Sequence, residues 1–160
     1  MNFVKGQLKL NIKTLQGECW LTIPVRSKGH MSNTIMDIGI DNTKNWRQKH
    51  QKTIFHSYSK SKFFHDLYPK LTNMYKQTDN NFADTIFAQT LFWFEELEIS
   101  TEVVRSSQLE IGSKNSELIV NLCEHFNATK YISGALGRNY LDENEFRERS
   151  IEIEYQNSSR

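Results

Sequence analysis

Along the first forty residues the hydrophobic positions recur every second place. Leu8, Leu10 and Ile12 alternate with polar residues, the period of a half-buried strand. Gly17 offers a turn, and Trp20, Leu21, Ile23 and Val25 read as the second arm of a hairpin. Pro24 places that arm at an edge or ends it, because proline cannot donate to a ladder. A loop is expected over 26–33, then a further strand through Ile35, Met36, Ile38 and Ile40.

From Asn45 the period lengthens. Trp46, His50, Ile54 and Tyr58 recur every four residues and share one helix face. A second helix around Pro69 carries Phe63, Phe64, Leu67, Leu71 and Tyr75. A third is expected to start at Asn81, with Asp84 completing a variant capping box. Its apolar stripe is assigned to Ala83, Phe87, Leu91 and Phe94, widened by Ile86 and Leu97.

The remainder reads as strands alternating with helices. Residues 102–105 are expected as a strand, and Leu118, Ile119, Leu122, Cys123 and Phe126 line a helix that stops near Asn127. A strand follows at 130–133, then a short helix at 142–149 with Asp142 and Glu145 as a capping box. Ile151, Ile153 and Tyr155 alternate with acids as an edge strand does. Strands separated this way imply crossovers and a partly parallel sheet. The expected fold is therefore α/β: a partly parallel sheet with crossover helices, an N-terminal β-hairpin and a helical middle segment.

With 160 residues, the chain is expected to form one domain over 1–160. Its 38% hydrophobic content supports a packed core, and seven glycines and two prolines are too few for a loop-dominated fold. Cys19 and Cys123 are expected as buried thiols in a reducing compartment. No stretch approaches the ~18 apolar residues of a membrane span, and the amino terminus lacks a signal-like apolar run. A soluble, cytoplasmic protein is expected.

The formal net charge of +1 hides an asymmetry. Residues 44–76 hold eight Lys or Arg against the single acid Asp66, whereas 79–124 hold nine acids against Arg105 and Lys114. A basic face that meets an anionic partner is one reading, and two solvated surfaces is the other.

Three places can hold chemistry. In open α/β sheets, ligands bind beyond the carboxyl ends of parallel strands. Arg105, Ser106 and Ser107 follow an expected strand, and a guanidinium beside two hydroxyls suits a phosphate or carboxylate; the serines serve equally well as a chain turn. The loop 133–140 offers Ser133, Gly134, Gly137, Arg138 and Tyr140. Its glycines let backbone amides approach an anion, though its spacing fits neither a P-loop nor a dinucleotide fingerprint. Plain turn glycines are the alternative. The helix with Trp46, Arg47, Lys49 and His50 is third. There a hydrogen-bonded core histidine is favoured over an acid–base group. His30, His56, His65 and His125 lack metal-site spacing, so neither a metal nor a cofactor is expected. The aromatics among the lysines of 44–76 fall at core-facing positions, which weighs against nucleic acid.

Four of these stretches resemble the WbqC-like family. They are 17–25 (Gly-Glu-Cys-Trp-Leu-Thr-Ile-Pro-Val), 40–50 (Ile-Asp-Asn-Thr-Lys-Asn-Trp-Arg-Gln-Lys-His), 105–112 (Arg-Ser-Ser-Gln-Leu-Glu-Ile-Gly), and 131–142 with Phe146 and Ile151. Each is modest alone, while the ordered set is specific. The likeness covers nearly the whole chain. Departures are an absent His-Gln-Pro opening and C-terminal extension, and Leu136 where a glycine is common. A shortened member is expected.

That resemblance implies a bacterial protein of lipopolysaccharide O-antigen or other surface-polysaccharide biosynthesis. It implies transfer of an acyl or aminoacyl group to a nucleotide-linked amino sugar. In that reading Arg105 and Arg138 hold phosphates; Ser106, Ser107 and Gly134 shape the pocket. Trp46, Arg47, Ser133, Gly137 and Tyr140 also contact the ligand, and His50 is the acid–base residue. A non-catalytic binding or scaffold subunit is the second reading, docking an acidic protein partner through Lys49, Lys52, Lys60 and Lys62.

Overall fold

Gly17 has φ of +109°, a conformation that side chains disfavour, and it turns the chain between two strands. β1 (Gln7–Thr14) and β2 (Gly17–Pro24) pair antiparallel from Thr14↔Gly17 to Gln7↔Pro24. The expected hairpin is therefore present, and it ends at Pro24. This computed structural model describes residues 7–26, 34–77 and 80–156, so most of the loop expected at 26–33 lies outside the described residues. The chain divides into two compact units, 1–101 and 102–160, each with its own apolar core.

In the first unit β2 points Leu21 and Ile23 inward and leaves Trp20 56% exposed. Cys19 lies farther along the inward row and is only half-buried, a correction to the expected pair of buried thiols; Cys123 is buried and both are free. Residues 35–40 do not form the expected strand. Asp37 accepts from both the backbone N–H and the hydroxyl of Thr34, at 3.0 and 2.7 Å, which winds Ile35–Asp37 into a 3₁₀ turn. Only isolated bridges follow, Gly39 to Asn81 and Ile40 to Val25, and Ile38 and Ile40 are still buried.

Three helices cover the hairpin face. α1 (Trp46–Tyr58) buries Trp46 and His50 and packs Ile54 on the core, as its four-residue period predicts. The Tyr58 hydroxyl donates to the Lys13 carbonyl and ties the end of α1 to β1. α2 (Phe64–Lys76) contains Pro69 and buries Phe64, Leu71 and Tyr75. α3 (Phe82–Glu96) starts as expected: the Asn81 side chain accepts from the Asp84 N–H at 3.1 Å.

Its buried face is not the expected stripe as a whole, although Ile86, expected to widen that stripe, does pack on the core. Phe82 and Thr85 are 2% and 1% exposed, and Ile86 and Phe92 pack on the core. Leu91 is 43% exposed. The longer row of large apolar residues pointed to the wrong stripe. The helix is anchored instead by Phe82 at its first position, where the Phe82 N–H donates to the Ile38 carbonyl at 2.8 Å. Full burial of a side chain of that size contributes about 1.5–3 kcal/mol.

In the second unit residues 102–105 form no strand, because no neighbouring backbone pairs with them among the described residues. Arg105 is extended and leads into a 3₁₀ turn, Ser106–Gln108. α4 (Asn115–His125) buries Ser116, Val120 and Cys123, and Asn127 follows it with φ of +52°. β3 (Lys130–Ser133) then runs parallel to β4 (Glu152–Tyr155), in register from Lys130↔Glu152 to Ser133↔Tyr155. α5 (Glu143–Glu148) makes the crossover, burying Phe146 at 1% exposure against Tyr131. Its cap differs from the expected box: Asp142 accepts from the Asn144 N–H at 3.0 Å. The Glu145 Oε2 is buried instead and meets no donor among the described residues.

The architecture is thus mixed α/β, with an antiparallel hairpin, a helical middle and a parallel pair joined by a crossover helix. Its parallel part is two strands wide among the described residues. No helix among them is long and apolar enough to cross a membrane.

Candidate functional site

The loop 133–140 leaves the carboxyl end of β3, the position where parallel sheets place ligands. The Gly134 carbonyl accepts from Gly137 N–H at 2.9 Å and from the buried Ser133 hydroxyl at 3.1 Å, closing residues 135–139 into a 3₁₀ turn. The Gly137 carbonyl takes N–H bonds from Tyr140 and Leu141, at 3.1 and 3.0 Å. Buried Ser116 of α4 receives the Asp142 N–H at 3.0 Å and fixes the exit of the loop.

The two glycines serve different ends. A β-carbon on Gly137 would stand 1.9 Å from Ser133 Oγ and 3.1 Å from Leu141 Cδ1, so this glycine is a packing requirement. Around Gly134 nothing lies within 4 Å of that position, so its missing side chain leaves open space at the mouth of the loop.

Arg138 is exposed and lays its guanidinium 4.0 Å over the ring of Tyr155, the last residue of β4. The Tyr155 hydroxyl donates to Glu143 Oε1 at 2.9 Å, which holds the ring in place. Burial and the bond to Glu143 raise the Tyr155 pKa, so the phenol stays neutral under the arginine. Among the described residues the Arg138 N–H groups make no hydrogen bond to protein. The arrangement is a pre-oriented, solvent-facing cation, able to take two oxygens of a phosphate or carboxylate. Tyr140 is 59% exposed.

Ser106 and Ser107 are exposed on their 3₁₀ turn, and Arg105 is half-buried beside them.

Trp46, Arg47 and His50 belong to the first unit and have partners there. Asn42 Oδ1 accepts from Arg47 at 2.8 Å and from the Trp46 indole at 3.4 Å, while Arg47 lies 4.6 Å over the Trp46 ring. Burial lowers the Arg47 pKa. His50 is 5% exposed; its Nε2 lies 2.9 Å from the Thr22 carbonyl and its Nδ1 3.2 Å from the Tyr75 hydroxyl. A carbonyl only accepts, so Nε2 carries the proton and Nδ1 takes the Tyr75 O–H. Burial lowers the His50 pKa, partly opposed by the Thr22 bond, and it pushes the Tyr75 phenol up to about 12. The neutral pair sits edge-on to Trp46.

Sequence reasoning missed three of these partners. Tyr75 was read as packing alone, and Asn42 entered only as part of the stretch 40–50. Tyr155 was placed on a strand with no signal of its parallel neighbour, since register between distant strands leaves no local trace. Among the described residues no cluster of His, Cys, Asp and Glu can hold a metal ion.

Residues 4–160 match the profile of the WbqC-like protein family. The chain is also similar to the uncharacterised protein Rv1507c of Mycobacterium tuberculosis. The two are 32% identical over 143 residues, covering 89% of this chain and 62% of the relative. The chain thus spans less than two thirds of that relative's length. No solved structure matches it.

Proposed function

The chain belongs to the WbqC-like protein family, and from that premise we propose that it works in bacterial surface-polysaccharide assembly, transferring an acyl or aminoacyl group to a nucleotide-linked amino sugar. The observation that carries this reading is Arg138. It is clamped over Tyr155 at the end of a parallel strand, with its hydrogen-bonding edge facing solvent. Such a group binds a diphosphate through paired N–H donors. Gly134 leaves room for the ligand beside it, and exposed Tyr140 offers a ring and a hydroxyl to the sugar or base. Arg105, Ser106 and Ser107 supply a second anion contact. Calorimetric titration with a panel of nucleotide-linked amino sugars tests the assignment. Binding by the wild type, weakened at least tenfold in Arg138→Ala at unchanged melting temperature, supports it. Equal affinity in both removes Arg138 from the site.

A second reading has its own observation. His50, the acid–base candidate in the matching stretches, has both ring nitrogens engaged inside the core, and Arg47 and Trp46 are bonded to Asn42. This favours a binding or scaffold subunit, its lysines at 49, 52, 60 and 62 exposed for an acidic protein partner. Charge reversal at those lysines abolishes co-purification of a partner in this reading and leaves nucleotide-sugar binding unchanged.

A further inference from the structure

Arg138, Tyr155 and Glu143 come from three different elements that meet at one end of the second unit, and each is pinned separately. Arg138 follows Gly137, which packs against Ser133. Tyr155 ends β4 opposite Ser133 in the parallel register. Glu143 opens α5 directly after Asp142, whose N–H donates to buried Ser116 at 3.0 Å. The guanidinium lies 4.0 Å over the phenol ring, and the phenol hydroxyl donates to Glu143 Oε1 at 2.9 Å. A ring tied at its hydroxyl keeps one orientation, and so does the cation stacked on it.

A carboxylate is an unfavourable neighbour for an anion by charge alone. Glu143 and Tyr155 both wall a groove of about 330 Å³ along α5 and β4, so the negative charge stands beside space that a ligand on Arg138 can reach. Its bond to Tyr155 works in the opposite direction from its charge. An arginine that moves freely must give up that freedom on binding, which lowers affinity about two- to tenfold, whereas one already held does not.

We propose that Glu143 is a positioning residue of this anion site. It touches no phosphate and acts through Tyr155, holding Arg138 in place before the ligand arrives. The inference rests on the reading of Arg138 as the phosphate-binding group and adds the residue that keeps it preformed.

The test uses the full chain, with inorganic pyrophosphate as the probe. Glu143 is exposed, so its replacements leave the core intact. Glu143→Gln and Glu143→Ala lose the same charge, but only the amide can still accept from the phenol. Glu143→Ala should therefore bind pyrophosphate about two- to tenfold more weakly than Glu143→Gln. Tyr155→Phe keeps the ring and loses the hydroxyl. It should bind more weakly than wild type, and adding Glu143→Ala to it should weaken binding no further, because both act through one bond. Proton spectra give a readout without ligand. The Arg138 side-chain signals, shifted by the Tyr155 ring, should stay shifted in Glu143→Gln and return toward ordinary values in Glu143→Ala. Equal affinity in those two variants, or Arg138 signals unmoved in Glu143→Ala, would overturn the inference and leave the Arg138 reading standing. Arg138→Ala with the wild-type affinity, or a wild type that binds no pyrophosphate, removes that reading and the inference with it.

Discussion

Ser133 Oγ occupies the place where Gly137 would carry a β-carbon, 1.9 Å from it. A buried strand residue and a loop glycine are thereby interlocked. The strand end and the loop it leads into must keep their spacing together, and the two glycines of the loop have opposite tolerance to change.

Gly137→Ala should destabilise the protein by about 1–3 kcal/mol, the usual cost of forcing atoms into a packed place. Removing the obstructing side chain with Ser133→Gly should restore part of the loss. Gly134→Ala should stay within ~0.5 kcal/mol, since it meets open space. Denaturant melts of the three variants measure this. A Gly137→Ala protein as stable as wild type contradicts the interlock.

His50 makes stability depend on pH. Its folded pKa is depressed, so the unfolded chain takes up a proton first as pH falls below its ordinary value of about 6.5. The stabilising contribution is complete above that value and is lost progressively on acidification toward the folded pKa. Between pH 8 and 5 the wild type should lose more melting temperature than His50→Gln does. Parallel curves for the two proteins would contradict a buried neutral imidazole.

Tyr75 should be the last tyrosine to ionise. With its phenol pushed up to about 12, the Tyr75 hydroxyl should be missing from an ultraviolet titration of the folded protein after the other tyrosines, the raised Tyr131 and Tyr155 included, have ionised. Tyr75→Phe should abolish that missing step. It should also loosen His50, visible as a shift of the imidazole signals toward an ordinary pKa.

The inward face of α3 can be settled by two truncations. Phe82→Ala removes a side chain only 2% exposed and should cost about 3–5 kcal/mol. Leu91→Ala should cost below ~1 kcal/mol, because Leu91 is 43% exposed. Similar losses would restore the stripe expected from hydrophobic periodicity.

Local signals in this sequence read well wherever one element's own residues decide the outcome. The four-residue period of Trp46, His50 and Ile54, the turn at Gly17, the Asn81 cap and the strand at 130–133 all reappear in the structure. Misreadings arise where a partner decides. Residues 102–105 look like a strand but find no ladder, and 35–40 alternate like one but are wound up by the Thr34–Asp37 pair. On α3, seven large apolar residues leave two plausible stripes, and Phe82 chooses between them through contacts with Ile38 and the hairpin. The candidate loop was legible as glycines and an arginine. Its clamp was not, because Tyr155 meets Arg138 only through the parallel register of two strands whose paired residues, Lys130↔Glu152 to Ser133↔Tyr155, are far apart in sequence.

That narrow parallel pair has a further consequence. Each of its strands keeps an outer edge with no ladder partner among the described residues, and on β3 Ile132 is 56% exposed. Open edges are templates for addition of a second chain. On β4, Glu152 and Glu154 repel a like strand laid alongside, while Lys130 reaches across to both at 3.3 and 3.2 Å. Near neutral pH these charges act as gatekeepers against edge-to-edge self-association. Replacing both with glutamine would open that gate and leave this edge free to take up a second strand.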